Sequence, residues 1–172
     1  NVLLISRLAK QNGIKVLLSG TGGDDLFSGY RRHKALLNEV YWSYLPLKIR
    51  KFIKEKTSKL LSRNTFENRI KRAFSGADLD IDQRIINYFK WNLNNDLYNL
   101  YSDEFKKELK KSITIDPIEK YLSKVNKEFS NLDRMLALEQ RFFLGDHNLI
   151  YCDKMSMQEG IEVRVPFLDH DL

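Results

Sequence analysis

The sequence predicts an α/β unit built around a parallel strand, followed by a mostly helical continuation. A short apolar run, Ile14–Leu18, lies between turn signals and is typical of a buried parallel strand. A glycine-rich loop, Ser19–Gly23, follows the run directly, and an amphipathic segment, Val2–Lys10, precedes it. Helix, strand, glycine-rich loop and helix in this order form an α/β unit.

The elements of this unit have local signals at their boundaries. Val2–Lys10 predicts a short amphipathic helix, and Gly13 is a plausible stop for it. Asp24 follows the glycine-rich loop, so the next helix is expected to begin within a residue or two of it. Near the other end of the chain, the alternation in Ile161–Val165 predicts a second strand, which Pro166 would end or leave at an edge.

Between these segments the apolar residues recur at helical spacing in three stretches, 31–45, 80–101 and 131–157. Ser130 and Asn131 occupy the position of a helix N-cap. Aromatic residues at such spacing are most simply interpreted as core, and we assign no chemistry to Tyr41, Trp42, Tyr44, Tyr88, Phe89 and Trp91.

The composition is that of a globular domain. The chain has 172 residues, of which 42% are hydrophobic and 30% charged. No apolar run reaches the length of a membrane span, and no signal-peptide pattern is present, so no membrane partner is expected. The one cysteine, Cys152, cannot form an internal disulfide, which fits a cytoplasmic location.

The positive charge is concentrated in one segment. Lys48–Arg72 holds ten of the Lys and Arg residues and two Glu, within a chain of net charge +6. Such a run can be a nucleic-acid footprint, whose sign would be a salt-dependent affinity. A solvated helix face is the favoured interpretation, because no stacking aromatics or nucleic-acid motif accompany the charge. No nucleic-acid partner is therefore expected.

Two acids, Asp24 and Asp25, follow the glycine-rich loop at once, although such loops usually bind phosphate. The loop has no Gly-Lys-Ser/Thr, and its glycines, at positions 20, 22 and 23, do not follow the dinucleotide fingerprint. The acids could favour a helix start through its dipole. They could also hold Mg²⁺ that bridges to substrate phosphates. The residues alone leave both interpretations open.

Two stretches resemble the class B, glutamine-hydrolysing asparagine synthetase family: "LLSGTGGDDLFSGYRRH" (Leu17–His33) and "NLIYCDKMSMQEGIEVRVPFLDHDL" (Asn148–Leu172). The resemblance implies an adenine-nucleotide α-hydrolase-like, Rossmann-like α/β fold. It implies a synthetase domain that uses ATP and Mg²⁺ to activate aspartate as an acyl-adenylate, with release of pyrophosphate. Ammonia from glutamine, supplied by a glutaminase domain in the same parent chain, would then give asparagine. A homodimer is a further expectation for the parent protein.

The resemblance also assigns site residues. By position, Asp24 would ligate Mg²⁺, and Ser19, Gly20 and Gly22 would bind ATP or the adenylate. Thr21 stands where asparagine-forming members often carry an acid, and threonine cannot ionise to act as a general base. Asp146 is a further candidate catalytic acid, and Lys154 is interpreted as structural or loosely site-facing. From the residues themselves, Asp25 is interpreted as the helix-capping acid and Glu162 with Arg164 as a structural ion pair.

Some parts of the family pattern are missing from these 172 residues, including the pyrophosphate loop Ser-Gly-Gly-x-Asp-Ser and the N-terminal nucleophilic cysteine. We therefore expect residues 1–172 to be an internal piece of a synthetase domain, truncated at both ends and inactive alone. A related amidotransferase with another carboxylate acceptor, or a non-catalytic homologue, remains the alternative.

Overall fold

The computed structural model describes four stretches of the chain, residues 1–60, 64–90, 99–109 and 116–171. In chain order, its elements are α1 (Val2–Gln11), β1 (Val16–Leu18), α2 (Gly23–Leu26), α3 (Arg31–Leu37), a 3₁₀ turn (Asn38–Tyr41), α4 (Leu47–Ser58), α5 (Thr65–Phe74), α6 (Ile81–Phe89), α7 (Asp103–Leu109), α8 (Pro117–Leu122), α9 (Asn131–Leu138), a π-helix (Glu139–Leu149), α10 (Ile150–Met157), β2 (Glu162–Arg164) and a 3₁₀ turn (Pro166–Leu168). These elements divide into two compact units, Asn1–Lys34 with Leu132–Leu172, and Ala35–Asn131.

The first unit contains a parallel pair of strands. β1 and β2 align with Val16 opposite Glu162 and Leu18 opposite Arg164. The predicted parallel strand, the second strand before Pro166 and the mostly helical remainder are confirmed for the described residues. A pair of strands establishes the α/β character of this unit, and the adenine-nucleotide α-hydrolase-like fold stays a prediction.

The prediction that β1 is buried is wrong. Leu17 is half-buried, whereas Val16 and Leu18 are 41% and 75% exposed. Successive side chains of a strand point to opposite faces of the sheet. The face that carries Leu17 is therefore partly packed, and the opposite face is open to solvent.

The boundaries of the first helices follow the predicted signals. α1 ends at Gln11, and Gly13 has a φ of +71° just beyond it, in the left-handed region that glycine adopts readily. α2 begins at Gly23, one residue before Asp24, as predicted. Its N-cap is Gly22, with a φ of +95°.

The second unit packs its helices around a buried core that includes Ala77, Ile85 and Leu122. α6 begins at an N-cap, Asp80, whose carboxylate accepts a hydrogen bond from the backbone N–H of Gln83 at 2.9 Å. This bond satisfies one of the N–H groups that a helix start leaves without a partner.

The predicted aromatic core is confirmed in part. Tyr88 and Phe89 are buried, and the Trp42 ring packs 5.4 Å from that of Phe74. Tyr41 and Tyr44 are about three-quarters exposed, so their assignment to the core is wrong. The helical spacing fails there because α3 ends at Leu37 and a 3₁₀ turn follows, which changes the angle between successive side chains. Trp91 lies outside the described residues.

The basic segment forms α4 and α5, neither of which has a buried residue. Some of its charges have local partners. Arg50 donates to the carbonyl oxygen of Ala77 at 3.1 Å, and Lys54 pairs with Asp78 at 2.7 Å. The described part of this segment therefore has the character of a solvated helix face. In the part of the chain that the structure describes, no helix is both long enough and apolar enough to cross a membrane.

Candidate functional site

The loop after β1 is shaped by its own hydroxyl groups. The backbone N–H of Ser19 donates to the carbonyl oxygen of Arg164 at 2.8 Å, which ties the start of the loop to the end of β2. Ser19 Oγ lies 2.7 Å from Thr21 Oγ1 and accepts a hydrogen bond from the Thr21 backbone N–H at 3.2 Å. The Ser19 side chain therefore closes a local turn in the loop.

The glycines of this loop permit close packing against the second motif. A Cβ on Gly22 would lie 2.9 Å from Leu168 Cδ2, and one on Gly23 would lie 3.3 Å from the Phe167 ring. The two sequence motifs are therefore joined by packing at the Pro166–Leu168 turn. This close packing requires glycine at positions 22 and 23. It is a structural role, separate from the ligand binding that the resemblance implies for Gly22.

We expect Gly22→Ala to lower the free energy of unfolding by about 2 kcal/mol, since it combines left-handed strain with a steric conflict at Leu168. Gly160→Ala is the matched control, because Gly160 has a similar φ of +70° but open space where an added Cβ would lie. The control should cost only the backbone strain, about 1 kcal/mol. Urea unfolding of both variants gives the comparison, and equal losses would show that the Leu168 contact contributes nothing.

The two adjacent acids lie in different environments. Asp24 is exposed, whereas Asp25 is only 1% exposed. The Asp25 carboxylate accepts hydrogen bonds from the Tyr30 hydroxyl at 3.2 Å and from Asn148 Nδ2 at 3.2 Å. Burial raises the pKa of Asp25 despite the bond from Tyr30, and the negative charge of Glu139 raises it further. Asp25 lies in the first turn of α2, as its predicted helix-capping role requires, and its carboxylate is also bound by Tyr30 nearby and by Asn148 from the other end of the chain.

A cavity of about 260 Å³ opens beside these acids. Its lining includes Gly20–Gly22 from the loop, Asp24 and Asp25 from α2, and Asn148 and Cys152 from the other end of the chain. The volume is below the roughly 300–1,000 Å³ of most small-molecule sites. The cavity therefore has room for a phosphate group together with a bound ion, but it is smaller than most sites that enclose a whole drug-sized ligand.

The predicted cleft between the loop and the helical segment 146–154 is confirmed by this cavity. Individual residues of the two segments differ in position. Asp146 lies outside the lining, more than half exposed, and pairs with Arg141 at 3.0 Å. Lys154 is exposed and also lies outside the lining. Ser19 is not among the lining residues but binds Thr21, which does line the cavity. The catalytic role of Asp146 stays a prediction.

The predicted ion pair between Glu162 and Arg164 is present, with 2.8 Å between Arg164 Nε and Glu162 Oε1. Both side chains are more than half exposed, so the pair lies on the surface of β2. An exposed pair of this kind contributes little to stability.

Sequence reasoning missed a buried charged cluster next to Tyr30, one of the residues that line the cavity. Glu139 is fully buried and accepts hydrogen bonds from the Arg32 guanidinium, while His33 Nε2 lies 3.0 Å from Glu139 Oε1. Burial opposes ionisation of Glu139, but these hydrogen bonds and the Arg32 charge outweigh it and lower the pKa of Glu139. The Tyr30 ring lies next to the cluster, 4.2 Å from the centre of the Arg32 guanidinium.

The cavity offers oxygen ligands that suit Mg²⁺. This ion is usually held by one or two carboxylates together with substrate phosphates. Asp24 provides an exposed carboxylate at the cavity, and Asp25 lies beside it. Within the described stretches no three His, Cys, Asp or Glu side chains converge to hold a metal by themselves. The donor set therefore fits Mg²⁺ that is shared with phosphate, and the role of Asp24 as its ligand stays a prediction.

The whole chain, residues 1–172, matches the family model described as asparagine synthase. The chain belongs to the asparagine synthase family. Three similar relatives support this assignment. Two are named "putative asparagine synthetase [glutamine-hydrolyzing]" and the third is named "asparagine synthetase [glutamine-hydrolyzing] 1". The relative from Mycobacterium bovis is 28% identical over 188 residues, covering 99% of this chain and 25% of its own length. A relative from Mycobacterium tuberculosis gives the same values.

The third relative, asparagine synthetase 1 from Bacillus subtilis, is 22% identical over 169 residues, covering 96% of this chain and 24% of its own length. The chain thus spans about a quarter of the length of the curated asparagine synthetases that it matches. No solved structure matches it significantly. The family recognised from the two motifs is confirmed.

Proposed function

We propose that this chain is a segment of the synthetase domain of an ATP-dependent, amide-forming ligase. The ligase would activate a carboxylate, aspartate in the first instance, as an acyl-adenylate with release of pyrophosphate, and then amidate it with ammonia from glutamine. Family membership over the whole chain supports the proposal, as do relatives named for glutamine-dependent asparagine synthesis. The observation that carries it is the exposed Asp24 carboxylate, which lines a cavity with the glycine-rich loop that has room for phosphate and a bound ion.

Each residue of the cavity would have a separate role in binding. Asp24 would hold Mg²⁺, which when bound supplies positive charge to the phosphates and to the pyrophosphate leaving group. Gly20 and Gly22 would leave the loop backbone accessible to phosphate oxygens, and Ser19 would keep the loop in shape through Thr21. Asp25 is already engaged by tertiary partners, so it would serve as part of the wall.

The identity of the acceptor carboxylate depends on Thr21. Its hydroxyl lies 2.7 Å from Ser19 Oγ, and a threonine hydroxyl does not ionise near neutral pH. Thr21 would therefore not act as the acid that many asparagine-forming members carry at this position. This observation favours a second candidate, amidation of a different carboxylate by the same adenylate chemistry.

The remaining parts of the proposal concern the parent protein. A glutaminase domain in the same polypeptide would supply ammonia, which agrees with the glutamine-hydrolyzing names of the relatives. A cytoplasmic location and a homodimer are further proposals, and the chain alone would be inactive.

The decisive experiment is ATP–pyrophosphate exchange by the full-length protein with Asp24→Asn. We expect exchange to fall at least tenfold, which corresponds to about 1.4 kcal/mol of transition-state stabilisation, because asparagine offers Mg²⁺ only a neutral oxygen. Higher Mg²⁺ should restore part of the rate, and the melting temperature should not change.

Asp103→Asn is the matched control, because it makes the same change at a carboxylate that is 94% exposed and lies outside the cavity lining. Its exchange rate should equal that of the wild type. Equal rates for the wild type and Asp24→Asn would reduce Asp24 to an acid that merely favours the start of α2.

A further inference from the structure

We propose that Tyr30 is a positioning residue of this site, whose hydroxyl bridges Asp25 and Asn148 and thereby holds the start of α2 in place. The inference rests on the proposed function, because the group that this bridge positions is the Asp24 carboxylate. Tyr30 lies in the turn between α2 and α3, within the first of the two sequence motifs.

The bridge is a closed triangle of hydrogen bonds. The Tyr30 hydroxyl donates to Asp25 Oδ2 at 3.2 Å and accepts from Asn148 Nδ2 at 3.3 Å. Asn148 Nδ2 also donates to Asp25 Oδ1 at 3.2 Å. A tyrosine hydroxyl can donate one hydrogen bond and accept others, so all three side chains are satisfied at once. Tyr30 and Asp25 are five positions apart, whereas Asn148 is 123 positions from Asp25, so Asn148 makes the triangle a tertiary link.

The buried cluster of Arg32, His33 and Glu139 packs against the Tyr30 ring. The Arg32 guanidinium lies 4.2 Å from the ring centre, and the His33 ring meets the Tyr30 ring edge-on at 5.5 Å. Both Arg32 and His33 bind Glu139, which is fully buried. The ring orientation is therefore tied to a charged group that solvent does not reach.

One element supplies both anchors. Glu139 is the first residue of the π-helix, and Asn148 lies near its end. The start of this element orients the Tyr30 ring, and its end binds the hydroxyl. π-helical segments are often found at functional sites. Here the segment connects the buried cluster to the cavity.

The short length of α2 makes such anchoring necessary. α2 has four residues, Gly23–Leu26, and an isolated single turn is not stable by its own hydrogen bonds. Asp24 and Asp25 share this turn, so the contacts that hold Asp25 also set the position of Asp24 relative to the loop. Tyr30 also lines the cavity, but Asp25 and Asn148 already bind its hydroxyl. We therefore expect Tyr30 to affect Mg²⁺ and phosphate binding through the position of Asp24.

Tyr30→Phe in the full-length protein tests the bridge, since it removes the hydroxyl and keeps the ring. We expect the dissociation constant for Mg²⁺ with inorganic pyrophosphate, measured by calorimetry, to rise about fivefold. The KM for ATP in pyrophosphate exchange should rise by a similar factor, while kcat stays within about twofold. Asn148→Ala, which removes the other donor to Asp25, should act in the same direction. Tyr44→Phe is the matched control at a tyrosine that is 76% exposed, and it should change neither constant.

A second readout needs no ligand. Amide hydrogen exchange of Leu26, Phe27 and Gly29, whose N–H groups bond within and just after α2, should accelerate in Tyr30→Phe and not in Tyr44→Phe. If Asp24→Asn leaves pyrophosphate binding unchanged, the proposed function fails, and the exchange of these amides alone decides whether Tyr30 holds α2. Unchanged amides in Tyr30→Phe, or a loss of kcat with unchanged binding, would overturn the inference.

Discussion

Replacement of Glu39 by alanine is expected to lower the free energy of unfolding by about 4 kcal/mol. Glu39 is the hub of a buried network in the second unit, where it accepts from Arg84 Nε at 2.7 Å and from the Tyr88 hydroxyl at 2.9 Å. The Arg84 and Glu39 side chains are only 10% and 5% exposed. Removal of one partner of a buried ion pair leaves the other charge without compensation in a poorly solvated site, which typically costs about 3–5 kcal/mol. This loss is large beside the roughly 5–15 kcal/mol that stabilises most proteins.

Urea unfolding followed by tryptophan fluorescence measures this effect, because the Trp42 ring lies 5.7 Å from the Arg84 guanidinium. Glu55→Ala, at an exposed glutamate of α4, is the control and should stay within about 0.5 kcal/mol of the wild type. A double variant, Glu39→Leu with Arg84→Met, should recover part of the loss because it removes both charges. A Glu39→Ala protein as stable as the Glu55→Ala control would show that the network does not stabilise this unit.

The second large effect is expected for Glu139→Gln, at about 3 kcal/mol. Glutamine keeps the size of the side chain but removes the charge that binds Arg32 and His33. The loss should be smaller than for Glu39 because the Arg32 side chain is 23% exposed and keeps some contact with water. Glu162→Gln is the matched control in the same unit, since its pair with Arg164 is exposed and should contribute at most about 1 kcal/mol.

The difference between the wild type and Glu139→Gln should depend on pH in a defined direction. The folded state lowers the pKa of Glu139, so its ionisation stabilises the protein. This stabilisation is complete above the pKa of an unfolded glutamate, about 4.3, and is lost as the pH falls through the lower folded value. Denaturant titrations from pH 7 down to pH 3 should show a difference that shrinks as the pH falls below about 4. A difference that grows on acidification would contradict this account.

Local patterns were sufficient for the backbone framework of the first unit. The apolar run before Ser19 predicts β1, and the glycine and acid pair after it predicts where α2 begins. The alternation before Pro166 likewise predicts β2. These signals are readable from the sequence because strand periodicity, proline and positive-φ glycines act within a few residues. The two motifs also sufficed for the family and for the cleft between them.

Only the tertiary structure decided which charged side chains are buried. Asp24 and Asp25 are chemically identical neighbours in one turn, yet Tyr30 and Asn148 enclose Asp25 and leave Asp24 exposed. In the same way, Glu139 gives no sign in the helical spacing of its segment that it binds residues more than 100 positions away. The physical reason is that burial and ion pairing depend on long-range contacts, whereas propensity and periodicity describe only the chain nearby.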